Sequence, residues 1–173
     1  MKLNEIIKSK LTPAQVKWLE DVDIDINDYS VDAEGFVNVN GNVDISDKNL
    51  TSIPVKFGYV GGNFNCSFNN PTSLQGAPRE VGGYFACNNN NLTSLRGAPR
   101  EVGGNFNCQH NRLSSLQGAP KEVGGYFNCW NNNLSSLQGA PGVVGGDFWC
   151  HNNKFKAEPD HSFINIGGVF GWK

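Results

Sequence analysis

Leu92-Thr-Ser-Leu-Arg-Gly-Ala-Pro-Arg-Glu-Val-Gly-Gly-Asn-Phe-Asn-Cys-Gln-His-Asn111 is one copy of a unit that recurs every 21 residues. The cysteines mark the period at Cys66, Cys87, Cys108, Cys129 and Cys150, and the prolines repeat it at Pro78, Pro99, Pro120 and Pro141. Phe64, Phe85, Phe106, Phe127 and Phe148 keep the same phase. A period of this length predicts a solenoid, in which each unit buries its apolar face only against its neighbours.

Inside the unit, Val-Gly-Gly-x-Phe-x-Cys alternates fixed apolar and variable residues, as Val81, Phe85 and Cys87 do around Tyr84, Ala86 and Asn88. Period two around Phe and Cys reads as one short strand with a buried face. The glycine pairs, such as Gly82-Gly83 and Gly103-Gly104, stand at the strand entrance. A tight bend or positive φ is expected there. They do not read as a phosphate loop, because no helix or Lys-Ser/Thr follows any copy. Asn69, Asn90, Asn111, Asn132 and Asn153 form a column. Interior asparagines are expected to bond backbone groups that sheet pairing leaves open. Leu74, Leu95, Leu116 and Leu137 fill the other side of the core, with Ile53 in phase. The proline of the return Gly-Ala-Pro excludes a regular helix there.

The unit Phe-x-Cys-x-x-Asn-x-Leu-x-x-Leu resembles the leucine-rich repeat family over about residues 41–154. Phe and Cys take the first two leucine places. The resemblance implies a leucine-rich-repeat solenoid with short parallel strands on a concave face and non-helical returns on a convex face. The return is similar to the short repeats of bacterial secreted effectors, with one more residue per repeat and an added Gly-Gly. The wording Gly-Ala-Pro-x-x-Val-Gly-Gly-x-Phe-x-Cys also resembles repeat proteins encoded by large tailed bacteriophages.

The ends depart from the repeat. Residues 1–34 read as an N-terminal helical cap and acidic loop, residues 35–154 as the solenoid, and residues 155–173 as a C-terminal cap strand. Thr12-Pro13-Ala14-Gln15 carries the signature of a helix start, with Thr12 as cap and Gln15 closing a capping box. Val16, Trp18 and Leu19 supply apolar surface for the first rung. Phe36-Val37-Asn38-Val39 reads as a cap strand, Gly41–Ile45 as a degenerate rung, and Ile166–Phe170 as an echo of the repeat slightly out of phase.

Net charge is −2, from 14 basic and 16 acidic residues. That balance predicts no nucleic-acid partner. Seven acids and no base lie between Glu20 and Glu34, which reads as a solvated loop. Arg79, Arg100 and Lys121, each followed by a glutamate, read as an alternating-charge ridge. No window resembles a membrane span or a signal peptide, so no membrane partner and a cytoplasmic location are expected. The five cysteines share one phase and are an odd number, so reduced core thiols are expected and not a disulfide framework. No metal-ligand set, cofactor motif or catalytic constellation stands out: His110 and His151 lie on different rungs, and no CxxC occurs.

If Phe and Cys point inward, three columns point outward. They are Asn63-Tyr84-Asn105-Tyr126-Asp147, Asn65-Ala86-Asn107-Asn128-Trp149 and Ser67-Asn88-Gln109-Trp130-His151. Early rungs are mostly asparagine. Late rungs gather large aromatics, the composition of a protein-interface hot spot. Tyr84, Tyr126, Trp130, Asp147, Trp149 and His151 are the expected partner-binding residues. The competing reading folds the C-terminal cap, through Phe163, Val169, Phe170 and Trp172, over these rings. The expected function is a non-enzymatic protein-binding module. The bacteriophage resemblance implies a host protein as partner, such as a defence component that the module inhibits. Two alternatives are a recognition domain of a bacterial effector and a virion or adhesin part that binds glycans. Oligomeric state is left open.

Overall fold

The computed structural model describes residues 10–25 and 27–173. What was expected of residues 1–9 lies outside that range. Over the repeats the chain winds as a parallel β-solenoid of about 6 turns. Each turn carries two short strands where one was expected. One is the Glu-Val pair before the glycines, as at Glu80–Val81 and Glu101–Val102. The other begins at the phenylalanine, as at Phe85–Ala86 and Phe106–Asn107. Stacked turns make a sheet of seven parallel strands from the first set, extended to eight by an antiparallel strand at Tyr29–Val31, and a sheet of seven from the second. The return segments hold no helix.

Register is strict. Glu80, Glu101 and Glu122 are neighbours across one sheet, and Phe64, Phe85, Phe106, Phe127 and Phe148 across the other. The last turn is one residue longer, pairing Phe148 with Phe170 and Val143 with Asn165. That extra residue is the phase slip seen in the sequence. The two final strands, Asn165–Ile166 and Phe170–Gly171, complete a further turn instead of a single cap strand.

The core is a set of columns. The phenylalanine rings from Phe64 to Phe148 are fully buried and stack turn on turn, with centroids 5.0–5.5 Å apart. Such ring pairs contribute about 0.5–1.5 kcal/mol each beyond their buried area. Cys66 to Cys150 and the repeat leucines from Leu74 to Leu137 fill the rest.

The glycine pairs bend the chain, but not through positive φ, which falls elsewhere: at Gly76, Gly97, Gly118 and Gly139, and at Phe68, Asn89, His110, Asn131 and Asn152. Close backbone stacking explains the pairs. A Cβ on Gly103 would collide with the carbonyl oxygen of Gly82, and one on Gly124 with that of Gly103. Gly104 N–H then donates to Gly83 O at 2.9 Å, holding the corners together.

The asparagine column closes the turn on the far side of the strand. Asn111 Nδ2 donates to Cys87 O, Cys108 O and Gln109 O at 3.0–3.2 Å, and its Oδ1 accepts from Leu92 N–H at 3.0 Å. Asn132 repeats these bonds one turn on. One buried amide therefore serves backbone groups of two turns.

The N-terminal end is sealed by helix α1 (Pro13–Asp21). Thr12 and Gln15 form the reciprocal capping box. Val16 and Leu19 are buried, and Trp18 meets Phe57 edge-on at 6.5 Å. The acidic run is not all loop. It contains strand β1 (Tyr29–Val31), which pairs antiparallel with β2 (Val37–Val39). The buried Tyr29 ring anchors it, flanked by exposed acids.

Replacing Asn111 by alanine leaves the buried Leu92 N–H without its acceptor, while Cys87 O, Cys108 O and Gln109 O each lose one donor and keep another, from Asn90, Asn132 and Asn89. Each unsatisfied buried group costs about 1–3 kcal/mol. The expected loss is about 1–3 kcal/mol in a urea unfolding curve. A loss below about 0.5 kcal/mol, the range of surface substitutions, would mean that water serves these groups instead.

Candidate functional site

Strand geometry sorts the three outward columns. In the first, Asn63 Oδ1 accepts from Tyr84 N–H, Asn105 Oδ1 from Tyr126 N–H, and Asp147 Oδ1 from Val169 N–H, at 2.8–3.0 Å. Asp147 is therefore occupied in holding the next turn. In the second, Asn65, Asn107 and Asn128 turn their Oδ1 back to the backbone N–H two residues on. The third is only partly open. Ser67 and Asn88 are buried, as is Asn128 of the second column, against the expectation that all three columns face solvent. Short polar side chains here bond close to their own position, with Asn128 Oδ1 accepting from the Trp130 N–H. Ser67 Oγ, for instance, donates to Asn65 Oδ1 at 2.6 Å.

The late turns add large rings. Tyr126 stacks on Trp149 with centroids 5.1 Å apart. Trp130, 39% exposed, stands between His110 at 5.8 Å and His151 at 6.1 Å. Trp130, Trp149, His151, Asn128, Asn152 and Lys173 line a cleft of about 500 Å³. Of the six expected partner-binding residues, Tyr126, Trp130, Trp149 and His151 come together. Tyr84 lies two turns earlier, and Asp147 does not line the cleft. Lys173, His110 and Asn152 join the group unexpectedly. Lys173 sits outside the repeat phase, where spacing carries no signal.

The C-terminal residues reach the cluster through Gly171 and Lys173, and no ring of theirs pairs with Trp130 or Trp149. Phe163 and Val169 are exposed, and Phe170 continues the core column beneath Phe148 at 5.7 Å. Gly171, not a side chain, is the register partner of Trp149.

The charged columns separate. Glu80, Glu101 and Glu122 line one groove, with Tyr59 and Val143, while Arg79 and Arg100 line another. Arg79 pairs with Glu34 at 3.6 Å and sits 3.6 Å over the Phe36 ring. It clasps the N-terminal hairpin rather than its neighbouring glutamate.

All five thiols are free and buried. Loss of solvation pushes Cys66 and Cys150 up to about 12. Burial also raises Cys87, Cys108 and Cys129, with neighbouring thiols adding to the shift at Cys87 and Cys129. A thiolate nucleophile is thus disfavoured at every copy. Among the described residues, no three His, Cys, Asp or Glu side chains are grouped to hold a metal ion. No helix among them is long and apolar enough to cross a membrane. Compared with protein-family models, curated proteins and solved structures, the chain matches none.

The thiols set a pH dependence. Unfolded cysteine ionises from about pH 8.5, whereas Cys66 and Cys150 hold their protons to about 12 in the fold. The unfolded chain sheds protons first, so this contribution is complete below about pH 8.5 and falls as pH rises towards 12. The urea midpoint should drop between about pH 7 and pH 10.5, and less so in Cys87→Val. An unchanged midpoint would mean that the thiols ionise within the fold.

Proposed function

We propose that this chain is a non-enzymatic protein-binding module of leucine-rich-repeat type. Its partner surface is the aromatic end built by Tyr126, Trp130, Trp149 and His151. The observation that carries this reading is the gathering of the exposed Trp130 and His110 with the half-buried Trp149 and His151 on consecutive turns of an otherwise asparagine-lined solenoid. Interfaces take most of their binding energy from a few Trp, Tyr and Arg side chains. The bacteriophage-like wording of the repeat points to a host protein as the partner, met in the host cytoplasm and inhibited by the module. The asparagine-rich early turns act as a spacer and scaffold for that surface.

Affinity purification from the native cell, followed by mass spectrometry, identifies the partner. Trp130→Ala and Trp149→Ala should then each weaken its binding by about 2 kcal/mol or more. Trp130→Ala should leave stability within about 0.5 kcal/mol of the parent. Trp149→Ala should lose about 1 kcal/mol through its stack on Tyr126. Asn107→Ala, in the column of Trp149 on a middle turn, should leave binding unchanged. Full binding by both tryptophan variants would move the working surface elsewhere.

A further inference from the structure

The cleft beside Trp149 is unbalanced in charge, with one lysine and no side-chain carboxylate in its lining. Its lining includes the donor-only indoles of Trp130 and Trp149 and the cationic Lys173, whose ammonium lies 4.8 Å from the Trp172 ring, beside the mixed donor–acceptor groups of His151, Asn128 and Asn152. Asp147, two residues before Trp149, has an oxygen engaged by Val169 N–H at 2.8 Å. Asn128 is engaged at both ends, accepting from Trp130 N–H at 3.0 Å and donating to Gln109 Oε1 at 2.9 Å. The one buried side-chain polar atom without a partner among the described residues is the Tyr29 hydroxyl. The Trp149 N–H, which meets no protein acceptor there, therefore opens to solvent.

Shape adds a second constraint. Tyr126, one turn earlier, covers one side of the Trp149 ring. On the next turn the register partner is Gly171, and a Cβ there would lie 2.8 Å from His151 Cε1 and 3.2 Å from Trp149 Cδ1. The glycine puts no side chain between the indole and the cleft. A flat group fits against a ring kept open in this way.

We propose that the cleft receives a flat apolar group with a carboxylate close to it. In a protein partner that is an aromatic residue beside an aspartate or glutamate. The ring lies against the indoles, and the carboxylate accepts from Lys173 and an indole N–H. This inference rests on the partner surface proposed above and names the chemistry recognised there. A nucleic acid also offers rings and anions. However, a net charge of −2 and the unpaired glutamates at Glu80, Glu101 and Glu122 give no field that gathers a polyanion.

The test uses the whole chain labelled with nitrogen-15. Its four tryptophans give four indole N–H signals, assigned with Trp130→Phe and Trp149→Phe. Four probes are titrated: N-acetyl-tryptophan, its neutral amide, tryptamine and oligothymidylate. Millimolar N-acetyl-tryptophan should shift the Trp130 and Trp149 signals and leave Trp18 in place. The amide should bind about tenfold more weakly, and tryptamine more weakly still. Lys173→Gln should bring the acid down to the affinity of the amide. The assignment is overturned if the acid shifts neither signal, if the amide or tryptamine binds as well, or if oligothymidylate binds more tightly. None of those results alters what Trp130→Ala and Trp149→Ala do to a whole partner, so the two proposals fail separately.

Discussion

Each turn of this protein rests directly on the one before, so every residue's nearest neighbour is its own counterpart one repeat away. Adjacent backbones lie about 4.8 Å apart, and whatever occupies a position must stack on itself. Phenylalanine does so by ring stacking, and asparagine by handing hydrogen bonds from one turn to the next. The glycine pair does so because its backbones approach too closely for any Cβ. The glutamates stack at a cost, since like charges directly opposite repel, and they are tolerated on an exposed face.

That rule explains what was legible beforehand. Period and phase revealed the solenoid, the inward phenylalanine and cysteine, and the asparagine column, because each is a self-stacking column. The helix start at Thr12 was legible from capping chemistry alone. Other features left no periodic trace. The Glu-Val strand is two residues long and shows no alternation. The strand at Tyr29–Val31 is hidden among acids that face solvent. Ser67 and Asn128 are buried with side chains bonded locally, Ser67 to the Asn65 side chain and Asn128 to the Trp130 N–H, and Asn88 is buried beside them, which strand alternation does not foresee. The left-handed column after the strand holds asparagine at three of its five repeat positions, a residue that tolerates such backbone. Phe68 takes the same conformation while 57% exposed, and nothing in its packing explains a bulky ring there.

The candidate site is where self-stacking breaks down. Trp130 and Trp149 have no tryptophan above or below them: Trp149 lies in register between Asn128 and Gly171 and stacks on Tyr126, and Trp130 lies between His110 and His151. A column that changes residue from turn to turn gains little from stacking, so its composition is free to answer to a partner. Membership of the cluster was readable for four of six residues. Asp147 was misplaced because its column spends a side-chain oxygen on the next turn's backbone N–H, as Asn63 and Asn105 do, and Lys173 was missed because it lies beyond the repeat.

The account rests on asparagine amides extending the turn-to-turn bonding beyond the strands. Native-state hydrogen exchange tests this directly, since it reports the opening of each backbone bond separately. Leu92, Leu113 and Leu134 lie outside any strand, and their N–H groups donate only to Asn111, Asn132 and Asn153. The account predicts that they exchange as slowly as Phe106 and Cys108 in the neighbouring strand column. Exchange of the leucines at the rate of open loops, with the strands still protected, would contradict it.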